Sequence, residues 1–139
     1  MSADAVNSSG FSPRRSLKVL VAEDNLINQR VVVGLLTQLG HTGVVVGDGD
    51  KALKCLSKLK FDAVLMDVMM PLMDGLEALA EIRSKEQSTG QRMPVLMATA
   101  YDEAGDAQRF ERAGADGYVP KPMTLDVLHV ELERETAGR

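Results

Sequence analysis

From Leu17 onward, short β-branched runs alternate with longer segments of helical period, and this alternation constrains the fold more than any other feature of the chain. It is the pattern of repeated βαβ units and a parallel sheet. Strands are expected over Leu17 to Ala22, Gly43 to Val46, Ala63 to Met66 and Val95 to Ala98, with a weaker fifth over Gly117 to Val119. They are apolar nearly throughout instead of alternating, as strands are when helices cover both faces of a sheet. The expected fold class is α/β, a three-layer α/β/α sandwich on a five-stranded parallel sheet.

The intervening segments carry apolar stripes at helical spacing. The first helix is expected after Asp24, with Val32, Leu35, Leu36 and Leu39 on one face and Gly40 as its end. Further stripes are Ala52, Leu53, Leu56 and Leu59, then Leu76, Leu79 and Ile82, and last Leu125, Leu128 and Leu132. The segment Glu103 to Ala113 offers only Ala104, Ala107, Phe110 and Ala113 as a buried side, so a loosely held helix is expected there.

With 139 residues, 45% of them hydrophobic, the chain suffices for one domain with a real core. Its boundaries are expected at 17 and 136, between a Ser-rich tail over 1 to 16 and a short carboxyl tail over 137 to 139. Sixteen basic and 20 acidic residues give a net charge of -4, which invites neither nucleic acid nor an anionic membrane surface. No apolar run approaches the length of a membrane span. One cysteine, Cys55, and two separated histidines, His41 and His129, argue against an internal disulfide and a zinc site. A cytoplasmic protein fits, although a longer parent could be membrane-attached.

Ligands of open α/β sheets bind beyond the carboxyl ends of the strands. Glu23 and Asp24 follow the first strand, Asp67 the third, Thr99 the fourth and Lys121 the fifth. Carboxylates gathered at one place repel, and a hard divalent cation with oxygen ligands relieves this, magnesium (or manganese) being the natural candidate. A carboxylate can also attack phosphorus to form an acyl phosphate, a step needing positioning and charge neutralisation more than covalent assistance. Asp67 is placed to be that nucleophile, with Lys121 and Thr99 supplying an ammonium and a hydroxyl.

These strand ends lie in Val-Leu-Val-Ala-Glu-Asp-Asn (19 to 25), Val-Leu-Met-Asp-Val-Met-Met-Pro-Leu-Met-Asp-Gly (64 to 75), Ala-Thr-Ala (98 to 100) and Gly-Tyr-Val-Pro-Lys-Pro (117 to 122). In these four pieces the chain resembles the receiver, or response-regulator, domains of two-component signalling, over about residues 17 to 136. The resemblance implies a flavodoxin-like, CheY-like sheet of order 2-1-3-4-5. It also implies that Glu23, Asp24, Asp67 and the backbone carbonyl of Met69 hold magnesium and that Asp67 accepts the phosphoryl group. Thr99, the backbone of Ala100 and Lys121 would bind that group, Thr99 and Tyr118 would form the switch, and the Lys121-Pro122 bond would be cis. Pro71 and Gly75 would frame the turn into the third helix, Gly75 by permitting a positive φ. The donor would be a phosphohistidine on a histidine kinase or histidine phosphotransfer protein, and the face of the fourth helix, fifth strand and fifth helix would be the one that changes and that is open to dimerisation.

By the same resemblance Met69 and Tyr101 would flank the line along which water attacks the phosphoryl group, and neither side chain can position that water, so slow self-dephosphorylation is expected. Each residue also has a plainer reading. Asp24 with Asn25 could cap the first helix, Thr99 could be a satisfied surface hydroxyl, Lys121 a solvated lysine, and Tyr118 half-buried packing. Their joint placement favours the functional reading. Cys55 is expected as a small core residue, Met66, Met69, Met70, Met73, Met93 and Met97 as fillers of core and loop gaps, and neither histidine as a phosphate carrier.

An aspartyl-phosphate phosphatase would want an acid where Met69 stands, and a flavin carrier would not want Glu23 and Asp24 in its phosphate loop. A receiver that signals without phosphate is opposed by the complete residue set. The isolated domain is expected to be no enzyme, since it modifies itself and turns over no separate substrate. With no room after residue 136 for an output domain, it would be a stand-alone regulator or a receiver cut from a longer protein. The wording of residues 66 to 75, with Asn25 and Asn28, resembles receivers attached to hybrid histidine kinases, which implies a parent chain that is itself a histidine kinase.

Overall fold

The computed structural model describes residues 16–100 and 104–137. Five strands, β1 (Lys18–Ala22), β2 (Thr42–Val46), β3 (Ala63–Asp67), β4 (Val95–Thr99) and β5 (Gly117–Pro120), alternate with α1 (Leu26–Gln38), α2 (Gly49–Lys58), α3 (Gly75–Thr89), α4 (Ala104–Ala113) and α5 (Leu125–Thr136). The sheet is parallel throughout, in the order β2-β1-β3-β4-β5.

Because strand side chains alternate between faces, the apolar runs divide into two cores. Leu20, Val64, Met66, Val95 and Met97 face Ala52 and Leu53 of α2, Ala78, Leu79 and Ile82 of α3, and Phe110 of α4. Val19, Val21, Ala63, Leu65, Leu96 and Val119 face Val32 and Leu36 of α1 and Leu128 and Leu132 of α5. A strand buried on both sides has no polar face to spare, which is why only its carboxyl end carries polar chemistry.

The helix starts are set by side chains that accept from orphan backbone N–H groups. Asn25 accepts from the Asn28 N–H at 2.9 Å, so Asn25, not Asp24, caps α1. Asp48 caps α2, Thr124 caps α5, and Asp74 with Glu77 forms a reciprocal capping box on α3. At the far end of the sheet Arg83 of α3 donates to the Gly114 and Met93 carbonyls, to Glu86 at 2.7 Å and to Asp116 at 2.8 Å. That one guanidinium ties α3 to the segments entering β4 and β5.

Several expectations are corrected. β1 starts at Lys18, one residue later than expected, whereas β3 and β4 extend to Asp67 and Thr99 because the ladder continues through Asp67 with Ala98 and Thr99 with Pro120. Leu59 is 47% exposed, since α2 stops at Lys58 before it can join the stripe. Leu76 is only half-buried, and Ala78 takes the deeper position on α3. Met69 is 70% exposed and fills no core gap. Gly75 does not have a positive φ; Leu72 does, at 68°. Cys55 is half-buried against the first core, and Phe110 is the deeply buried anchor among the described side chains of α4. Residues 1 to 15, Tyr101, Glu103 and 138 to 139, on which other expectations fall, lie outside the described residues. Ser16, expected in the tail, donates to the Gly40 carbonyl at 2.6 Å. No helix among the described residues is long and apolar enough to cross a membrane.

His41 is buried in the turn between α1 and β2, and its Nδ1 accepts from the Leu17 N–H at 3.1 Å, which requires the neutral ring. Burial holds its pKa below the ordinary value, aided by His129 and opposed by Glu133 and Asp62. The unfolded chain therefore takes up this proton first as pH falls below about 6.5, and stability declines from there, by at most about 1.4 kcal/mol per pH unit. In urea unfolding between pH 7 and 5, His41→Asn, which keeps an acceptor for Leu17, is expected to lose stability less steeply than the wild type.

Candidate functional site

At the carboxyl end of the sheet, β1, β3 and the segment leaving β5 converge. Glu23 continues β1 by donating its N–H to the Val46 carbonyl at 3.0 Å, and its side chain is 4% exposed. Asp67, the last residue of β3, is 5% exposed. Lys121 reaches both, its ammonium lying 2.8 Å from Glu23 Oε1 and 3.0 Å from Asp67 Oδ1. The Lys121 N–H donates to the Thr99 carbonyl at 2.7 Å, which anchors the lysine to the end of β4, and the Lys121-Pro122 bond is cis.

Two buried carboxylates around one ammonium divide its influence. Burial pushes the Asp67 carboxyl up, and the pull of Lys121 does not fully offset this, so Asp67 stays above the usual carboxylate range. Burial pushes Glu23 up as well, but Lys121 and the Asn25 N–H, 3.1 Å from Glu23 Oε2, outweigh it and hold Glu23 low. For Lys121, burial favours the neutral amine, and the two carboxylates overcome that and raise its pKa.

Asp24 is exposed, and its carboxylate, with those of Glu23 and Asp67, offers oxygen atoms all within 4.8 Å of one another. Three carboxylates against one ammonium leave two negative charges uncompensated. A small divalent cation with oxygen ligands fits that donor set in charge and chemistry. The Met69 N–H lies 3.4 Å from Asp67 Oδ1 on the loop beyond the strand.

Of the remaining expected residues, Thr99 is buried at the tip of β4 and Ala100 is the exposed residue after it. Tyr118 is half-buried on β5, in register with Met97, its ring 6.3 Å from that of Phe110. Tyr101 lies outside the described residues.

Two features at this end were not foreseen from the sequence. A Cβ on Gly75 would meet the Asp67 carbonyl oxygen at 2.2 Å, so the first residue of α3 must be glycine for lack of space and not for φ. The Gln29 side chain donates to the Glu23 carbonyl at 2.6 Å. Its position four residues after the cap Asn25 was a visible signal, because helical side chains lean back toward the amino terminus.

Residues 19–133 match the family model of the response regulator receiver domain. The chain belongs to this family. Among curated relatives, this receiver domain is 39% identical over 117 residues to hybrid signal transduction histidine kinase I of Dictyostelium discoideum, which covers 81% of this chain and 7% of the kinase. It thus spans a tenth or less of the hybrid kinases it matches first. Among solved structures, the receiver domain of sensor histidine kinase PA1611 from Pseudomonas aeruginosa aligns with a TM-score of 0.78 and 34% identity, over 89% of this chain and all of that one. That structure has a magnesium ion coordinated in its active site cleft. The chemotaxis protein CheY4 of Vibrio cholerae aligns with a TM-score of 0.77 and 30% identity, over 87% of this receiver and 99% of that chain.

Replacing Lys121 by Met keeps the stem and removes the ammonium, leaving Glu23 and Asp67 buried without a counter-charge. Carboxyl NMR titration of that variant is expected to show both groups shifted up. Urea unfolding without divalent ions is expected to show a loss of about 1–3 kcal/mol, since the pair is partly solvated. Unchanged titrations would mean that the lysine does not govern the pair.

Proposed function

We propose that this receiver, residues 17 to 136, accepts a phosphoryl group on Asp67 from a phosphohistidine donor in a magnesium-dependent reaction and thereby changes the surface it offers to partners. The observation that carries the reading is the meeting of Glu23, Asp24, Asp67 and Lys121 at one end of the sheet. A carboxylate oxygen of Asp67 attacks phosphorus; the O–P bond forms as the N–P bond breaks, and the imidazole nitrogen keeps the electron pair and takes up a proton. Glu23, Asp24, Asp67 and the Met69 carbonyl hold the cation, magnesium or manganese, which when bound neutralises charge on the phosphoryl oxygens. Lys121 pairs with the transferred group, and the Thr99 hydroxyl and Ala100 N–H donate to it.

The message leaves through Thr99 and Tyr118. A threonine drawn toward the phosphoryl group vacates space at the tip of β4, and Tyr118, packed on the α4 side against Phe110, turns with it. The α4-β5-α5 face is the surface whose populations shift, for partner binding or for dimerisation. The domain turns over no separate substrate and works in the cytoplasm.

The donor is a histidine kinase or histidine phosphotransfer protein. The rim around Asp67 suits docking by such a protein: Leu26 and Ile27 open α1 with their side chains exposed, and Leu72, 90% exposed, projects from the loop after β3. The similarity to hybrid kinases favours a receiver attached to such a kinase. A stand-alone regulator is the second reading, since the chain is also 30% identical to the chemotaxis protein CheY4.

Incubation with a small phosphodonor and magnesium, followed by intact-mass measurement, is expected to give one phosphate-sized gain in the wild type and none in Asp67→Asn. The gain is expected to persist in magnesium at neutral pH, because exposed Met69 offers no carboxylate or amide to orient an attacking water. An equal gain in the variant refutes the acceptor assignment.

A further inference from the structure

The two residues that follow β1 share a peptide plane. The carbonyl oxygen of Glu23 and the N–H of Asp24 belong to one rigid unit, so fixing that oxygen fixes the direction in which the chain leaves Glu23 and enters Asp24. β1 ends at Ala22, and although the Glu23 N–H still pairs with the Val46 carbonyl, the Glu23 carbonyl has left the regular ladder. Its partner is the side-chain amide of Gln29, at 2.6 Å.

Gln29 can reach back because α1 is anchored just beneath it. Asn25 caps the helix, the Gln29 N–H makes its first backbone bond to the Asn25 carbonyl at 2.9 Å, and the Asn25 N–H holds Glu23 Oε2 at 3.1 Å. The half-buried Gln29 closes this loop on its third side. Four bonds thus fix the Glu23 backbone and carboxylate, to the Val46 carbonyl and from Asn25, Lys121 and Gln29, and of these only the one from Gln29 acts on the plane shared with Asp24.

We propose that Gln29 is a positioning residue for the cation site: its amide holds the peptide plane between Glu23 and Asp24 and so sets both carboxylates toward Asp67. This rests on the phosphoacceptor reading, in which those carboxylates hold magnesium. Gln29 itself donates to a backbone carbonyl and ligates nothing. Its loss loosens the site while leaving Asp67, Thr99 and Lys121 in place.

The test is magnesium titration of the full chain by calorimetry, with thermal midpoints and acceptor rates from a small phosphodonor at limiting and saturating magnesium. Gln29→Met keeps the stem and removes the donor; it is expected to raise the magnesium dissociation constant on the order of fivefold, with an acceptor rate that recovers at saturating magnesium. Gln29→Glu sharpens the sign. An added carboxylate near the site would tighten cation binding if position 29 acted through charge alone, whereas the proposal expects weaker binding, because an acceptor then faces the Glu23 carbonyl. Unchanged affinity in Gln29→Met, tighter binding in Gln29→Glu, or a rate defect that saturating magnesium does not cure would each overturn the proposal. Failure of the underlying reading would appear instead in the wild type, as no magnesium binding at all.

Discussion

Two carboxylates buried side by side need a cation, and in this receiver the Lys121 ammonium stands between Glu23 and Asp67. The rest of the site depends on that contact. The three residues come from widely separated parts of the chain, after β1, at the tip of β3 and after β5, so the contact exists only when the sheet is complete. Lys121 balances one charge of three, and the surplus suits the donor set to a dication.

The close approaches around Asp67 serve the same end. Gly75 lets α3 begin against the Asp67 carbonyl, where any larger residue would push the strand tip and helix apart. The strand below Asp67 is buried on both faces, so the carboxylate is carried by a rigid element instead of a loop. Arg83 braces the opposite end of the sheet, where β4 and β5 begin. A charged cluster holds one end of the sheet and a polar clamp the other, while α4 is seated through Phe110, its deep anchor among the described side chains.

Much of this was legible in the sequence because parallel strands advertise themselves: runs such as Val64-Leu65-Met66 have no polar face, and chemistry can enter only after them. Glu23, Asp67 and Lys121 were recognisable for that reason, and the family resemblance of residues 19 to 25, 64 to 75, 98 to 100 and 117 to 122 supplied the other expectations. Features that depend on distances between elements were not legible. Whether Gly75 is needed for φ or for space is decided by how near α3 comes to β3, and the sequence alone is silent on that. Leu59 fits its apolar stripe on periodicity yet is exposed, because α2 ends one residue earlier. The spacing of Gln29 from Asn25 was visible, but which backbone carbonyl would lack a ladder partner and receive its amide depends on how the chain leaves β1.

The central claim is chemical, that Asp67 and no neighbouring carboxylate takes the phosphoryl group, and trapping the acyl phosphate tests it most directly. Borohydride reduces an acyl phosphate to the alcohol, so treatment of the phosphorylated chain followed by peptide sequencing in a mass spectrometer marks the acceptor. The account predicts homoserine at position 67 alone; a reduced residue at Glu23 or Asp24, or none anywhere in a chain that has gained phosphate, would contradict it.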